Sequence, residues 1–272
     1  DPCVHSARAA KAFLDDILQG LEVQVYVRKR GIPTTLPLPA ASGDLCARFQ
    51  GYGVVVEPWI ERQEIEWNLS QWREFGRIVG RLHALDVPEE LRVRPARLEP
   101  RRTLKAVRDQ ITQRRDQVPA EYQPQLEELW RTAEQLDAFP SAPRCLIHTD
   151  LARSNVLRTP EDRLLLVDFE GAGVGPAVLD LAEVTTYLCY GPSASGPLRV
   201  DAARAFYDGY TERRRLTSDE IVLFPLAHFY HQLYYLANSL GRGDYDFIRR
   251  MQARLRSWNG GVLDQLAEIA TA

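Results

Sequence analysis

The stretch HTDLARSNVLRTPEDRLLLVDFE, residues 148–170, contains the most informative pattern of the chain. A loop with Asp150 and Asn155 is followed by a short apolar run, a Thr-Pro-Glu-Asp turn, a second apolar run at 164–167 and then Asp168. Apolar runs separated by turn residues predict two short strands. Two carboxylates and a carboxamide therefore stand at strand ends, where a sheet can hold them in fixed positions.

This set of side chains suits phosphoryl transfer. That reaction needs one carboxylate to orient or deprotonate the acceptor hydroxyl, and oxygen ligands for the Mg²⁺ that neutralises the phosphates. Asp150 fits the first role, and Asn155 with Asp168 fits the second. Each residue alone is explained by a turn, where Asp and Asn are common. The joint spacing H-x-D-x-x-x-x-N, followed by a strand-terminal Asp, favours the chemical interpretation.

With these motifs the chain resembles the aminoglycoside phosphotransferase and choline kinase-like family, which has a protein-kinase-like fold. The resemblance covers about residues 20–190. Further matching segments are Gly31-Ile-Pro33, Val56-Glu-Pro-Trp-Ile60, Gly80-Arg-Leu-His83 and Gly175-Pro-Ala-Val-Leu-Asp180-Leu-Ala182. The resemblance implies an α+β, two-lobed fold. Residues 1–60 would form a small, partly missing β-containing N-terminal lobe with a hinge near 57–60, and residues 61–272 a large helical C-terminal lobe with the catalytic loop and the acceptor site.

The resemblance also implies an ATP- and Mg²⁺-dependent small-molecule kinase. In such an enzyme Asp150 would be the catalytic base, and Asn155 and Asp168 would be magnesium ligands. His148 would support the catalytic loop structurally, without a role in proton transfer. Asp180, near the start of a helix, would brace the same loop.

Further roles follow from the resemblance for residues outside this loop or at its edge. Arg153 would neutralise phosphate charge in the transition state, with a surface salt bridge as an equal alternative. Backbone groups from Glu57 through Trp59 to Ile60 would bind adenine. Glu22 would pair with the lysine that holds the α and β phosphates, with a solvated helix residue as the alternative.

Two features of the family are absent from the sequence. No G-x-G-x-x-G precedes residue 171, and Lys11 and Lys29 lie in the wrong context for the strand lysine. The chain starts at Asp1 and its only methionine is Met251. We therefore expect the chain to lack most of the N-terminal lobe, including the Gly-rich loop and the lysine.

The acceptor is predicted to be a small molecule. Only 11 residues separate Asp168 from Asp180 and no Ala-Pro-Glu motif follows, whereas a protein kinase needs a longer activation segment there. Acids and bases are nearly balanced in the C-terminal part, so there is no specific indication of a polycationic aminoglycoside. The aromatic stretch 228–235 would surround a quaternary ammonium group or, at helical spacing, belong to the core. Choline, homoserine, a sugar and a nucleoside-derived alcohol stay open.

Two other interpretations compete with a kinase. The segment Gly171-Ala-Gly-Val-Gly-Pro176 after a strand is similar to a dinucleotide-binding or methyltransferase loop, but Pro176 takes the third glycine position. No Asp or Glu lies between Val184 and Val200, where a ribose-binding acid belongs. The second alternative is a pseudokinase-like protein that binds a nucleotide or another ligand without turnover, against which the intact Asp150, Asn155 and Asp168 argue.

Composition places the chain among ordinary globular proteins, with 272 residues of which 45% are hydrophobic and 26% charged. Its formal charge of -3 provides no basic field for nucleic acid or an anionic membrane.

The four cysteines form no C-x-x-C pair, which favours buried free thiols over disulfides. No apolar run reaches the ~20 residues of a membrane span and no signal peptide is evident, so we expect a soluble, cytoplasmic protein.

Apolar spacing predicts the remaining elements. A hairpin is expected between 45 and 60, and residues 22–27 fit either a strand or a helix. Helices are predicted at about 6–19, 69–85, 102–117, 121–137, 177–190, 200–210, 218–240 and 244–269.

Overall fold

The computed structural model describes residues 7–49, 52–92, 95–98, 100–134, 142–190 and 199–257, together with 261, 264, 265, 268 and 269. The helices in these ranges are α1 (Ala7–Lys29), α2 (Leu69–His83), α3 (Glu89–Arg92), α4 (Pro100–Arg114), α5 (Gln123–Glu134), α6 (Ala177–Tyr190), α7 (Val200–Thr211), α8 (Ser218–Val222), α9 (Phe224–Arg242) and α10 (Asp246–Ser257). The strands are β1 (Ala47–Phe49), β2 (Tyr52–Val54), β3 (Arg144–Ile147), β4 (Val156–Arg158), β5 (Leu164–Leu166) and β6 (Gly173–Pro176).

The N-terminal part consists of one long helix and a small hairpin. The open assignment of residues 22–27 is resolved as helix, because α1 continues to Lys29. Val23 and Val27, four residues apart, are both buried on one side of α1, as helical geometry requires. β1 and β2 form the expected hairpin, in which Ala47 pairs with Val54.

The segment that was compared with a nucleotide-binding loop is a buried strand. β6 pairs antiparallel with β3, and Gly175 lies opposite Cys145. A Cβ atom at Gly175 would come within 2.6 Å of the Ile147 side chain, so glycine serves close packing here. The strands in the described ranges form three two-stranded antiparallel sheets. The dinucleotide-binding interpretation, which requires a parallel sheet, is wrong.

The helical core is centred on the contact between α2 and α7. Asn68 caps α2 together with Gln71, which explains the start of this helix at Leu69. A Cβ atom at Gly76 would lie 2.0 Å from the Phe206 carbonyl oxygen, and one at Gly209 would lie 1.9 Å from a carbonyl oxygen of α2. Glycines therefore allow the two backbones to approach closely and bring the C-terminal end of α2 next to α6.

The predicted helix at 218–240 is two helices. α8 ends at Val222 and α9 begins at Phe224, with Pro225 in its first turn. Proline lacks the amide proton that would continue the preceding helix, and it is well suited to a first turn. In the described part of the chain, no helix has the length and apolar character needed to span a membrane.

Candidate active site

The His148 side chain fixes the start of the catalytic loop. Its Nδ1 atom accepts a hydrogen bond from the Asp150 amide at 3.3 Å, so Nε2 carries the proton and donates to the Val167 carbonyl oxygen at 3.0 Å. Burial lowers the pKa of His148, which keeps the ring neutral. The ring thus ties the loop to the end of β5, one residue before Asp168, and packs against Phe169.

A carboxylate of α6 holds the next two backbone amides. Asp180 accepts hydrogen bonds from the amides of His148 at 2.7 Å and Thr149 at 2.8 Å, and it contacts His83 Nε2 at 3.0 Å. The other ring nitrogen of His83 lies 3.0 Å from the Tyr210 hydroxyl. Burial opposes ionisation, but the hydrogen bond and charge of His83 lower the pKa of Asp180. The carboxylate therefore stays ionised in the core.

A second carboxyl group of α6 supports the loop one turn further along. Glu183 accepts a hydrogen bond from the Leu151 amide at 2.8 Å and another from the Tyr235 hydroxyl at 3.1 Å. Burial and then the negative charges of Asp150 and Asp180 raise the pKa of Glu183 well above its ordinary value. Glu183 was not predicted from the sequence, although its spacing of three residues from Asp180 places both on one helix face.

Asp150 and Asn155 occupy opposite ends of the loop and are linked through the backbone. Asn155 Nδ2 donates to the Asp150 carbonyl oxygen at 3.0 Å, and Asn155 Oδ1 accepts a hydrogen bond from the Ser154 hydroxyl at 3.2 Å. Thr149, with a φ of 72°, turns the chain just before Asp150. The Asp150 side chain is half-buried, and its carboxylate oxygens have no hydrogen-bond donor among the described residues. It is therefore free to accept a bond from a substrate hydroxyl.

Asp168 carries an exposed carboxylate on a left-handed backbone, with a φ of 66°. Desolvation, followed by the charges of Glu170 and Asp150, raises its pKa. A cation beside it would relieve this repulsion. No set of three His, Cys, Asp or Glu side chains in the described residues is arranged to hold a metal. Mg²⁺ commonly takes one or two protein oxygens and completes its shell with phosphate and water, and Asp168 with Asn155 fits that donor set.

Two of the predicted hinge residues, Trp59 and Ile60, line an open groove. Glu57 accepts hydrogen bonds from Gln24 at 2.8 Å and Thr35 at 3.3 Å, and the Trp59 side chain is 91% exposed. The groove, of about 540 Å³, is bounded by Trp59, Ile60 and the β4–β5 hairpin.

The other two predicted residues lie at different places around this region. Glu22 is exposed on α1. The guanidinium of Arg153 lies 5.4 Å from the centre of the Trp67 ring, beside a second groove between residues 62–65 and β4. Their contacts with phosphate or lysine stay predictions.

Helix α1 packs directly on the segment that follows Asp168. A Cβ atom at Gly20 would lie 2.3 Å from the Phe169 carbonyl oxygen and 2.5 Å from the Glu170 Cα atom. Glu170 in turn binds Arg97, with 2.8 Å between Oε1 and Nη1. The sequence analysis assigned no function to either residue, because nothing in the sequence indicates that positions 97 and 170 meet.

The family of this chain follows from comparison with known proteins. Residues 6–216 match the model of the phosphotransferase enzyme family, APH. The chain belongs to this family. A homoserine kinase of Pseudomonas aeruginosa strain UCBPP-PA14 is 28% identical over 207 residues, which cover 75% of this chain and 63% of that relative. The chain thus spans less than two thirds of that homoserine kinase.

Solved structures show the fold of this family member. An aminoglycoside phosphotransferase from Alicyclobacillus acidocaldarius superposes with a TM-score of 0.65 at 16% identity, over 93% of this chain and 84% of that one. The amicoumacin kinase hAmiN, solved in complex with AMP-PNP, Ca²⁺ and Ami, gives a TM-score of 0.60 at 16% identity, over 88% of this chain and 77% of that one. The predicted α+β, two-lobed protein-kinase-like fold is confirmed.

Proposed function

We propose that this family member transfers the γ-phosphate of ATP to a hydroxyl group of a small molecule. The observation that carries the proposal is the state of Asp150. Its backbone is held by His148, its neighbours are held by Asp180 and Glu183, and its carboxylate is left without a donor among the described residues. A carboxylate that is rigidly placed and unoccupied suits a group that must receive a hydroxyl proton.

The reaction follows from these positions. Asp150 orients the acceptor hydroxyl and receives its proton, while the hydroxyl oxygen forms a bond to the γ-phosphorus. The bond between that phosphorus and the β–γ bridging oxygen breaks, and ADP leaves with the electron pair. Asn155 and Asp168 would hold Mg²⁺, which neutralises phosphate charge when bound. Arg153 would supply further positive charge at the transferred group.

The nucleotide would lie between the catalytic loop and the hinge. Residues 1–60 would act as the N-terminal lobe and residues 61–272 as the C-terminal lobe. Backbone groups of Glu57, Trp59 and Ile60 would bind adenine, and the groove lined by Trp59 and Ile60 supports this placement. Glu22 would take part through the lysine contact that the family resemblance implies.

Homoserine is the first acceptor to test, because the curated relative from Pseudomonas aeruginosa is a homoserine kinase. Its primary hydroxyl can reach a carboxylate such as Asp150. Aminoglycosides, choline and sugars complete the panel, since kinases of similar fold are named for diverse acceptors, such as spectinomycin, amicoumacin and aminopropanol.

Thermal unfolding of the full-length protein with and without Mg-ATP, followed by ATP consumption against this panel, tests the proposal. A ligand that binds only the folded state raises the melting temperature. A Mg²⁺-dependent rise together with turnover of one acceptor is the expected result. A rise without turnover of any acceptor would favour a nucleotide-binding pseudokinase, and no rise would contradict the proposal.

A further inference from the structure

The Arg97 side chain lies against the catalytic loop on the side of Glu170. A Cβ atom at Gly171 would come within 2.4 Å of Thr149 Oγ1, 2.8 Å of Arg97 Nε and 2.9 Å of Arg97 Cζ. The guanidinium and the residue that precedes Asp150 therefore contact the same point of the backbone. The Arg97 amide also donates to the Gly171 carbonyl oxygen at 2.9 Å, which fixes the base of the side chain.

Arg97 and Glu170 share one hydrogen bond, which leaves other polar atoms of both side chains without a partner in this pair. Only Nη1 of Arg97 donates to Glu170, and the described residues offer no acceptor to Nε or Nη2. The side chains of Arg97 and Glu170 are 31% and 37% exposed, so both reach solvent. Among the described residues, one Glu170 oxygen and two guanidinium nitrogens thus have no hydrogen-bond partner and can serve a ligand.

The pair also lies within the electrostatic field of the reacting groups. Burial tends to lower the pKa of Arg97, but the hydrogen bond to Glu170 and the electrostatic interactions with Tyr234, Glu170 and Asp150 raise it above its ordinary value. Tyr234 and Tyr235 stand at the half-buried edge of α9, whereas His228, Phe229 and Tyr230 are buried core. The predicted aromatic stretch is therefore mainly core, and only its end faces this side.

We propose that Arg97 and Glu170 form the part of the acceptor site that recognises a zwitterionic hydroxy amino acid, an inference that rests on the proposed function. Arg97 binds the carboxylate, because a guanidinium offers paired N–H donors that match two carboxylate oxygens. Glu170 binds the ammonium group. The hydroxyl at the other end of the molecule then reaches Asp150.

Three ligands separate the two contacts. Homoserine has both charged groups, 3-aminopropanol is the same chain without the carboxylate, and 4-hydroxybutyrate is the same chain without the ammonium group. Dissociation constants measured by calorimetry, with a non-hydrolysable ATP analogue and Mg²⁺ present, report binding whether or not phosphate is transferred. We expect wild-type protein to bind homoserine at least about tenfold more tightly than either shortened ligand.

Substitutions then assign each contact. Arg97→Met should weaken binding of homoserine and 4-hydroxybutyrate about 10- to 100-fold more than it weakens binding of 3-aminopropanol. Glu170→Gln should weaken binding of homoserine and 3-aminopropanol about 10- to 100-fold more than it weakens binding of 4-hydroxybutyrate. Arg77→Met is the matched control, because Arg77 forms a similar pair with Glu212 on the surface of α2. It should alter none of the three constants.

Two results would overturn the inference. One is wild-type protein that binds homoserine no better than the two shortened ligands. The other is an equal loss for all three ligands in Arg97→Met, which indicates that the pair merely orders the loop. Failure of the proposed function gives a third, different result: homoserine binds tightly and selectively, but no phosphate is transferred to it.

Discussion

The catalytic loop and the segment from 33 to 60 are stabilised in opposite ways. In the loop, the amides of His148, Thr149 and Leu151 are all bound by carboxyl groups of one buried helix, α6. In the segment 33–60, large apolar side chains face solvent; they are Leu36, Leu38, Phe49, Tyr52, Val54, Val56 and Trp59. The position of the proposed base is therefore determined by contacts within the core, whereas the described residues of 33–60 leave many large apolar side chains exposed.

Removing the principal carboxylate of the loop should have the largest effect. Asp180→Ala leaves two buried amides and His83 without their acceptor, and buried donors left unsatisfied at about 1–3 kcal/mol each give a total cost of about 3–5 kcal/mol. We expect the free energy of unfolding, measured in urea, to fall by this amount. An unchanged value would mean that other contacts hold the loop, and it would contradict the difference described between the loop and residues 33–60.

Removing the second carboxyl group should cost less. Glu183→Ala is expected to lower the free energy of unfolding by about 1–3 kcal/mol, because the Leu151 amide loses its partner. Glu183→Gln keeps the shape and an acceptor oxygen, so it should retain most of the stability and serves as the matched variant.

Glu183 also predicts a pH dependence. Its pKa is higher in the folded than in the unfolded state, so folding binds a proton and stability falls as pH rises from about 4.5 through the folded pKa. The amide side chain of the Glu183→Gln variant cannot titrate. The stability of this variant relative to wild type should therefore increase between pH 5 and pH 8 in urea denaturation; a constant or decreasing difference would show that Glu183 ionises freely.

Asp168 should behave as a residue kept for function at some cost in stability. Desolvation and neighbouring carboxylates raise the pKa of Asp168, so Asp168→Asn should leave the protein as stable as wild type or more stable by up to about 1 kcal/mol at pH 7. The rise in melting temperature with Mg-ATP should be lost. A variant that keeps the full Mg²⁺-dependent rise would remove Asp168 from the metal site.

The smallest effect is expected on the hinge side. Trp59→Ser removes a side chain that makes few contacts, and exposed substitutions usually change stability by less than about 0.5 kcal/mol. Nucleotide binding should also persist, since the proposal assigns adenine to backbone groups. A loss above about 1 kcal/mol in urea denaturation would show that the two regions do not differ as described.

The sequence was sufficient for features that depend on local spacing. The H-x-D-x-x-x-x-N motif and Asp168 are close in the chain, and helix periodicity predicted α2, α6 and α7. The break between α8 and α9 had a visible signal in Pro225, which the apolar spacing masked. Helix continuation over residues 22–27 could not be decided, because alternating valines fit a strand as well.

Contacts between distant segments were out of reach. Nothing in the sequence indicates that His83 meets Asp180, 97 residues away, or that Arg97 meets Glu170. Glu183 was missed because a buried carboxyl group is recognisable only from the amide it binds. The glycines of 171–176 were compared with a phosphate-binding loop, since glycine serves close strand packing as readily as it serves a ligand.

The most direct test of the central claim is transfer of the labelled γ-phosphate of ATP to homoserine by wild-type protein and by Asp150→Asn. We predict Mg²⁺-dependent formation of a phosphorylated acceptor by the wild type. In the variant the rate should fall by about 10²–10⁴-fold, with an unchanged melting temperature, because only the proton acceptor is lost. Equal transfer by both proteins would contradict the assignment of Asp150 as the base.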